Sequence, residues 1–162
     1  HVGERVVPKR ARLVFGDVVA GYAHSAVAPG AGLAASLVAL SGGDVAGVGA
    51  AEALDAVAKR AAMHAVASSP KYLSPDLVPA DVLDAERAVL VDQLVDSGKP
   101  QNIVDKIVAA RLAKFADESS LASQVHVVEE GKKTVGAVVA AALPGLEVAG
   151  FALCKVGGDE DN

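Results

Sequence analysis

The chain has 162 residues, a formal net charge of −5, 52% hydrophobic residues and only 3% aromatics. That balance argues against a nucleic-acid-binding surface, which needs clustered Lys and Arg, and against aromatic platforms for stacking bases. The longest apolar runs, Leu33 to Leu40 and Val135 to Leu143, stop well short of the ~20 residues that span a bilayer.

The length suffices for one domain with a real core, or one body carrying an arm. From the amino end, the pattern predicts a first strand over Val6 to Phe15, entered at Pro8, and a second from Val18 to Ser25. A turn-rich loop, Ala28 to Gly32, leads into a third strand ending near Leu40. Gly42, Gly43, Gly47 and Gly49 form a flexible loop before a helix over Ala51 to Ser68, whose Leu54, Val57, Ala61 and Ala65 recur at helical spacing. So alanine-rich a face should lie close against a sheet.

Pro79 to Phe115 reads as two amphipathic helices folded back on each other. Pro79 suits the N1 position, with Asp81 and Asp84 in the first turns, where carboxylates oppose the helix dipole. Leu83, Leu90 and Leu94, widened by Val82 and Val89, make one stripe. Gly98 can take the left-handed position after Ser97, and Pro100 restarts the chain with Ile103, Ile107, Val108, Leu112 and Phe115 on one face. So short a connection forces the helices antiparallel. An extended piece near Gln124 to Val128, a helix over Thr134 to Ala142 stopped by Pro144, and a last strand over Leu146 to Val156 complete the chain.

The fold class is therefore α+β: a small antiparallel sheet packed by helices, with an inserted antiparallel helical hairpin. One domain is expected over 1–162, with a body at 1–78 and 116–156, an arm at 79–115 and a polar tail at 157–162.

Motifs for side-chain chemistry are weak. Gly47-Val48-Gly49 is a poor dinucleotide fingerprint, because Glu52 stands where the third glycine should be. His1, His24, His64 and His126 lack paired metal-ligand spacing. Ser25 beside His24 lies in no G-x-S-x-G elbow. No catalytic residue, cofactor or metal is expected. The single cysteine, Cys154, excludes an internal disulfide, suits a reducing compartment and reads as a small buried hydrophobe on the last strand. No signal or transit peptide is visible, and a chain starting at His1 reads as a processed or trimmed segment.

His64 reads as a histidine facing partly inward from its helix, satisfied by a backbone or water partner. His24 lies at the expected end of a strand, beside Tyr22 and just before a Pro/Gly loop. There it could serve structure or contact another protein, and position alone leaves both readings open.

Longer words in the sequence carry a resemblance. Ala62-Met63-His64-Ala65-Val66-Ala67, Pro70-Lys71-Tyr72-Leu73, Ser97-Gly98-Lys99-Pro100 and Arg111-Leu112-Ala113-Lys114-Phe115 together resemble elongation factor Ts, the guanine-nucleotide exchange factor of elongation factor Tu. Gly3-Glu4-Arg5 and Lys9-Arg10-Ala11 are similar to the family's G-E-N and R-R-A, and Val19-Ala20-Gly21-Tyr22-Ala23-His24 to its G-x-Y-x-H. Ser25 to Gly30 is similar to an insertion of the alphaproteobacterial branch, from which mitochondrial forms descend. Lys133-Thr134-Val135-Gly136 and Val148-Ala149-Gly150-Phe151 match the family's closing helix and strand.

The resemblance implies protein-on-protein work on elongation factor Tu, with no direct nucleic-acid contact and no membrane span. It assigns His24 and Tyr22 to the surface that meets the partner's G domain, and Val2 and Gly3 to a contact nearby. The sheet and closing strand would face a β-barrel domain, and the arm would stay peripheral to exchange. It also implies a mitochondrial matrix location, or a bacterial cytoplasm. The family's T-D-F-V exchange element and N-terminal helical module are absent from these residues. Ala109-Ala110 stand for a usual Glu-Gly, Leu33 to Ser36 for a Lys-Ile-Gly-Val type strand opening, and Leu153 and Lys155 for Arg and Glu. Two functions remain open: half of a working exchange factor, or a divergent domain serving as a scaffold in a larger organellar assembly.

Overall fold

The computed structural model describes residues 7, 10–45, 51–95 and 98–157. Three antiparallel strands, β1 (Val18–Ala28), β2 (Ala31–Gly42) and β3 (Leu146–Lys155), lie in the order β1-β2-β3. Helix α1 (Ala51–Ser68) covers one face of this sheet. The arm, α2 (Ala80–Asp92) and α3 (Gln101–Ser119), and the short α4 (Val135–Ala142) are threaded between α1 and β3. The α+β class and the inserted antiparallel hairpin hold.

Alternation decides which residues of β2 meet the helix. Ala34, Ser36, Val38 and Leu40 point at α1 and are buried, whereas Leu33 and Leu37 on the other face remain exposed. Helix α1 answers with Leu54, Val57, Ala58, Ala61, Ala62 and Ala65. With so little side chain between them, helix and strand approach closely enough for the Ser36 hydroxyl to donate to the Ala62 carbonyl at 2.7 Å. Leu121, Val135, Val139 and Leu146 close the core from the far side.

The arm has its own seam, in which Leu90 and Leu94 of the first limb meet Val104, Val108 and Leu112 of the second. Its base is stitched to the body by backbone hydrogen bonds. Lys71 and Tyr72 donate to the Ser119 carbonyl, Leu121 to that of Tyr72, and Ala122 to that of Leu73, at 2.9–3.1 Å.

Several expectations need correction. Residues 10–16 form no strand, and Leu13 and Phe15 are each 81% exposed. Their β-forming side chains have no ladder partner, and a strand exists only when paired. Val6 and Pro8 lie outside the described residues. The expected loop at 28–32 contracts to a turn at Pro29 and Gly30, with Gly30 at φ 73°, so both strands run further than their sequence suggests. Pro79 and Pro100 are N-caps rather than first helical residues, since their ψ values of 142° and 144° are extended while their carbonyls accept from Leu83 and Val104.

The arm's second limb continues past Phe115 to Ser119, and its seam uses Val104 in place of Ile103, which is 39% exposed. Val89 also faces outward, at 51% exposure. Gly98 does adopt a left-handed φ of 64°, while Ser97, Gly47 and Gly49 lie outside the described residues. The piece at 124–128 is irregular, tied by one bridge between Val125 and Thr134. Thr134 caps α4 by accepting from the Ala137 amide at 3.2 Å.

Candidate functional site

The register of β1 on β2 places Tyr22 opposite Ser36 and His24 opposite Ala34, so both aromatic side chains stand on the helix-covered face. Tyr22 is half-buried against Val66, Ala34 and Leu153, beyond the deepest part of the core. Its hydroxyl lies 3.2 Å from His24 Nδ1, and the two ring centroids are 6.1 Å apart at a 44° tilt. With the phenol donating to Nδ1, the ring's proton sits on Nε2. His24 is exposed.

His24 stands within β1, not at its end as the sequence suggests, because the strand runs on to Ala28. Immediately beyond His24 the strand loses its regularity: Ser25 has a φ of 50° and the register slips between Ala26 and Ala28. On the other side of the sheet, Ala34 pairs with Lys155, so His24, Ala34 and Lys155 form one row. Lys155 Nζ reaches the Ser69 hydroxyl just past the end of α1. The alternation of β3 was the available signal for that lysine, which sequence reasoning missed. Val2 and Gly3 lie outside the described residues.

The opposite sheet face is open and made of small apolar residues. A hollow of about 900 Å³ lies over Gly21, Ala23, Ala35, Leu37, Ala152 and Cys154. Cys154 is half-exposed there, not the buried hydrophobe the sequence suggests, because its register opposite Ala35 turns it away from α1.

A second polar cluster lies at the other end of the core. His64 is fully buried; its Nε2 donates to Gln124 Oε1 at 2.9 Å and its Nδ1 accepts from the Val127 amide at 3.2 Å. His126, also buried, stacks at a tilt with centroids 5.2 Å from His64, and its Nδ1 accepts from the Val128 amide at 3.2 Å. Burial pushes the pKa of His64 down, and the Gln124 hydrogen bond opposes that. Burial likewise lowers His126, helped by His64 and Arg60 and opposed by Glu129. The inward reading of His64 is thus correct, with a backbone amide and a glutamine as partners. The pairing with His126 carried no sequence signal, since 62 positions separate the two.

Among the described residues no group of three or more metal-ligating side chains occurs, and no helix is long and apolar enough to cross a membrane. The site around His24 offers an exposed imidazole beside the Tyr22 hydroxyl on a paired strand.

The family model described as Elongation factor TS matches residues 1–158. The chain is 38% identical over 162 residues to the mitochondrial elongation factor Ts of Ostreococcus tauri, covering 97% of this chain and 44% of that protein. It is 42% identical over 135 residues to elongation factor Ts of Paramagnetospirillum magneticum, covering 82% and 41% respectively. Against elongation factor Ts of Colwellia psychrerythraea it is 37% identical over 156 residues, covering 96% and 48%. The chain therefore spans less than half the length of these three relatives.

Proposed function

The chain belongs to the elongation factor Ts family, and from that premise we propose that it is one half of the core of a guanine-nucleotide exchange factor acting on elongation factor Tu. Its work is protein contact without bond-making. A protein that binds the nucleotide-free partner more tightly than the GDP-bound partner must weaken GDP by the same factor, so exchange needs differential affinity and no catalytic side chain.

The observation that carries this reading is the family match along nearly the whole chain. Within it, His24 and Tyr22 are the proposed contact with the partner's G domain, and Val2 and Gly3 extend that contact. An imidazole fixed by a neighbouring phenol loses little side-chain freedom on binding, which favours it as an anchor. The body, at 1–78 and 116–156, carries the contact surface, while the arm at 79–115 is peripheral. The relatives include one mitochondrial and two bacterial proteins; the insertion-like Ser25 to Gly30 points to the mitochondrial matrix if the source is a eukaryote, the alternative being a bacterial cytoplasm.

Calorimetric titration of the full-length protein with nucleotide-free elongation factor Tu tests the reading. Binding should be tight, and His24→Ala should weaken it by about tenfold or more, as for a modest interface hot spot. Absence of binding by the unaltered protein rejects exchange and leaves the scaffold role in a larger assembly.

A further inference from the structure

The buried imidazoles at positions 64 and 126 take no part in the proposed contact, yet their arrangement is specific. Two consecutive backbone amides, Val127 and Val128, are each held by the Nδ1 of a different histidine, at 3.2 Å in both cases. His64 also holds Gln124, whose Nε2 donates at 2.7 Å to the Glu118 carbonyl in the last turn of α3. His126 Nε2 is buried without a hydrogen-bond partner. An imidazole can accept at Nδ1 only while it is neutral; a proton there sets N–H against N–H.

We propose that His64 and His126 form an acid-sensitive latch: His64 ties Gln124 and Val127 to α1, and His126, stacked on it, holds the Val128 amide, both only while the rings are neutral. The charged groups acting on the pair are Arg60 of α1 and Glu129 of the latched segment, which pair with each other. Arg60 disfavours a proton on His126 and Glu129 favours it. From α3 comes the Glu118 carbonyl, through Gln124, and Lys133 gives its carbonyl to the His126 amide. Ser68 Oγ, 3.5 Å from His64 Nδ1, is a further neutral neighbour.

The direction is set by linkage. Both rings have pKa values lowered from the ordinary 6.5 in the closed state. The latch is at full strength above that pH and weakens as pH falls below it, because the opened segment takes up protons that the closed one refuses. The backbone ties at 71–73 and 119–122 contain no titrating atom, so they stay closed and serve as an internal control.

Amide exchange followed by NMR on the whole chain, corrected for intrinsic rates, reads the latch. Below pH 6.5 the protection of Val127 and Val128 should fall by about tenfold per pH unit for one linked proton, and up to about a hundredfold for two. Tyr72 and Leu121 should hold theirs, and ¹⁵N shifts of both rings should titrate with the loss. His126→Asn, whose carboxamide oxygen replaces Nδ1 without titrating, should flatten the profile at Val128. If that variant does not fold, the unaltered protein still decides. A flat profile there, rings that titrate while Val127 and Val128 stay protected, or equal loss at Tyr72 and Leu121 overturns the latch.

Discussion

Ser36 and Gly42 show how much of this fold depends on near-contact. The Ser36 hydroxyl is buried and donates to a carbonyl of α1 at 2.7 Å. Ser36→Ala should cost about 1 kcal/mol, the usual net worth of one hydrogen bond, measured by urea unfolding. Gly42 has a φ of 96°, and a Cβ there would lie 2.3 Å from the Gly145 carbonyl oxygen. Gly42→Ala combines that overlap with a backbone strained for any side chain, so a loss of about 2 kcal/mol or more is expected in the same assay. Neither role is visible in the sequence, where Ser36 is one polar residue in an apolar run. His24 was a candidate from its place beside Tyr22 and before a Pro/Gly loop, and from the family resemblance. The row it forms with Lys155 needed the register of β3.

At the level of elements, legibility tracked the strength of the periodic signal. Helix α1 has the bounds its pattern predicts, since Leu54, Val57, Ala61 and Ala65 admit only one buried stripe. The second limb of the arm was ambiguous, because Ile103-Val104 and Ile107-Val108 are tandem apolar pairs and periodicity cannot choose between neighbours about 100° apart on the helix. The partner decided: Leu90 and Leu94 meet Val104 and Val108. The strand read over Val6 to Phe15 failed in its described part because propensity supplies no pairing partner. The arm's seam is separate from the body's core, so a cavity in it should act locally. Leu112→Ala should cost the arm about 2–3 kcal/mol. Hydrogen exchange should show α2 and α3 amides losing protection while Ala58 to Ala62 keep theirs. At α4, Thr134→Ala removes the cap and should cost about 1 kcal/mol in thermal unfolding.

Taken whole, the molecule is a two-layer body whose helix-covered face ends in His24 and Lys155, with an arm attached through backbone bonds at its base. The family was readable from short words spread along the chain, and the comparisons agree with it over residues 1–158. The proposed contact residues could be named from the sequence, but the face they occupy could not, because the face is set by the sheet register. The proposed function is exchange on elongation factor Tu. Release of a fluorescent GDP from elongation factor Tu, on adding the full-length protein, measures it. Acceleration should fall by about tenfold or more with His24→Ala and persist with Leu112→Ala in the arm. No acceleration by the unaltered protein, or equal acceleration by His24→Ala, would contradict it.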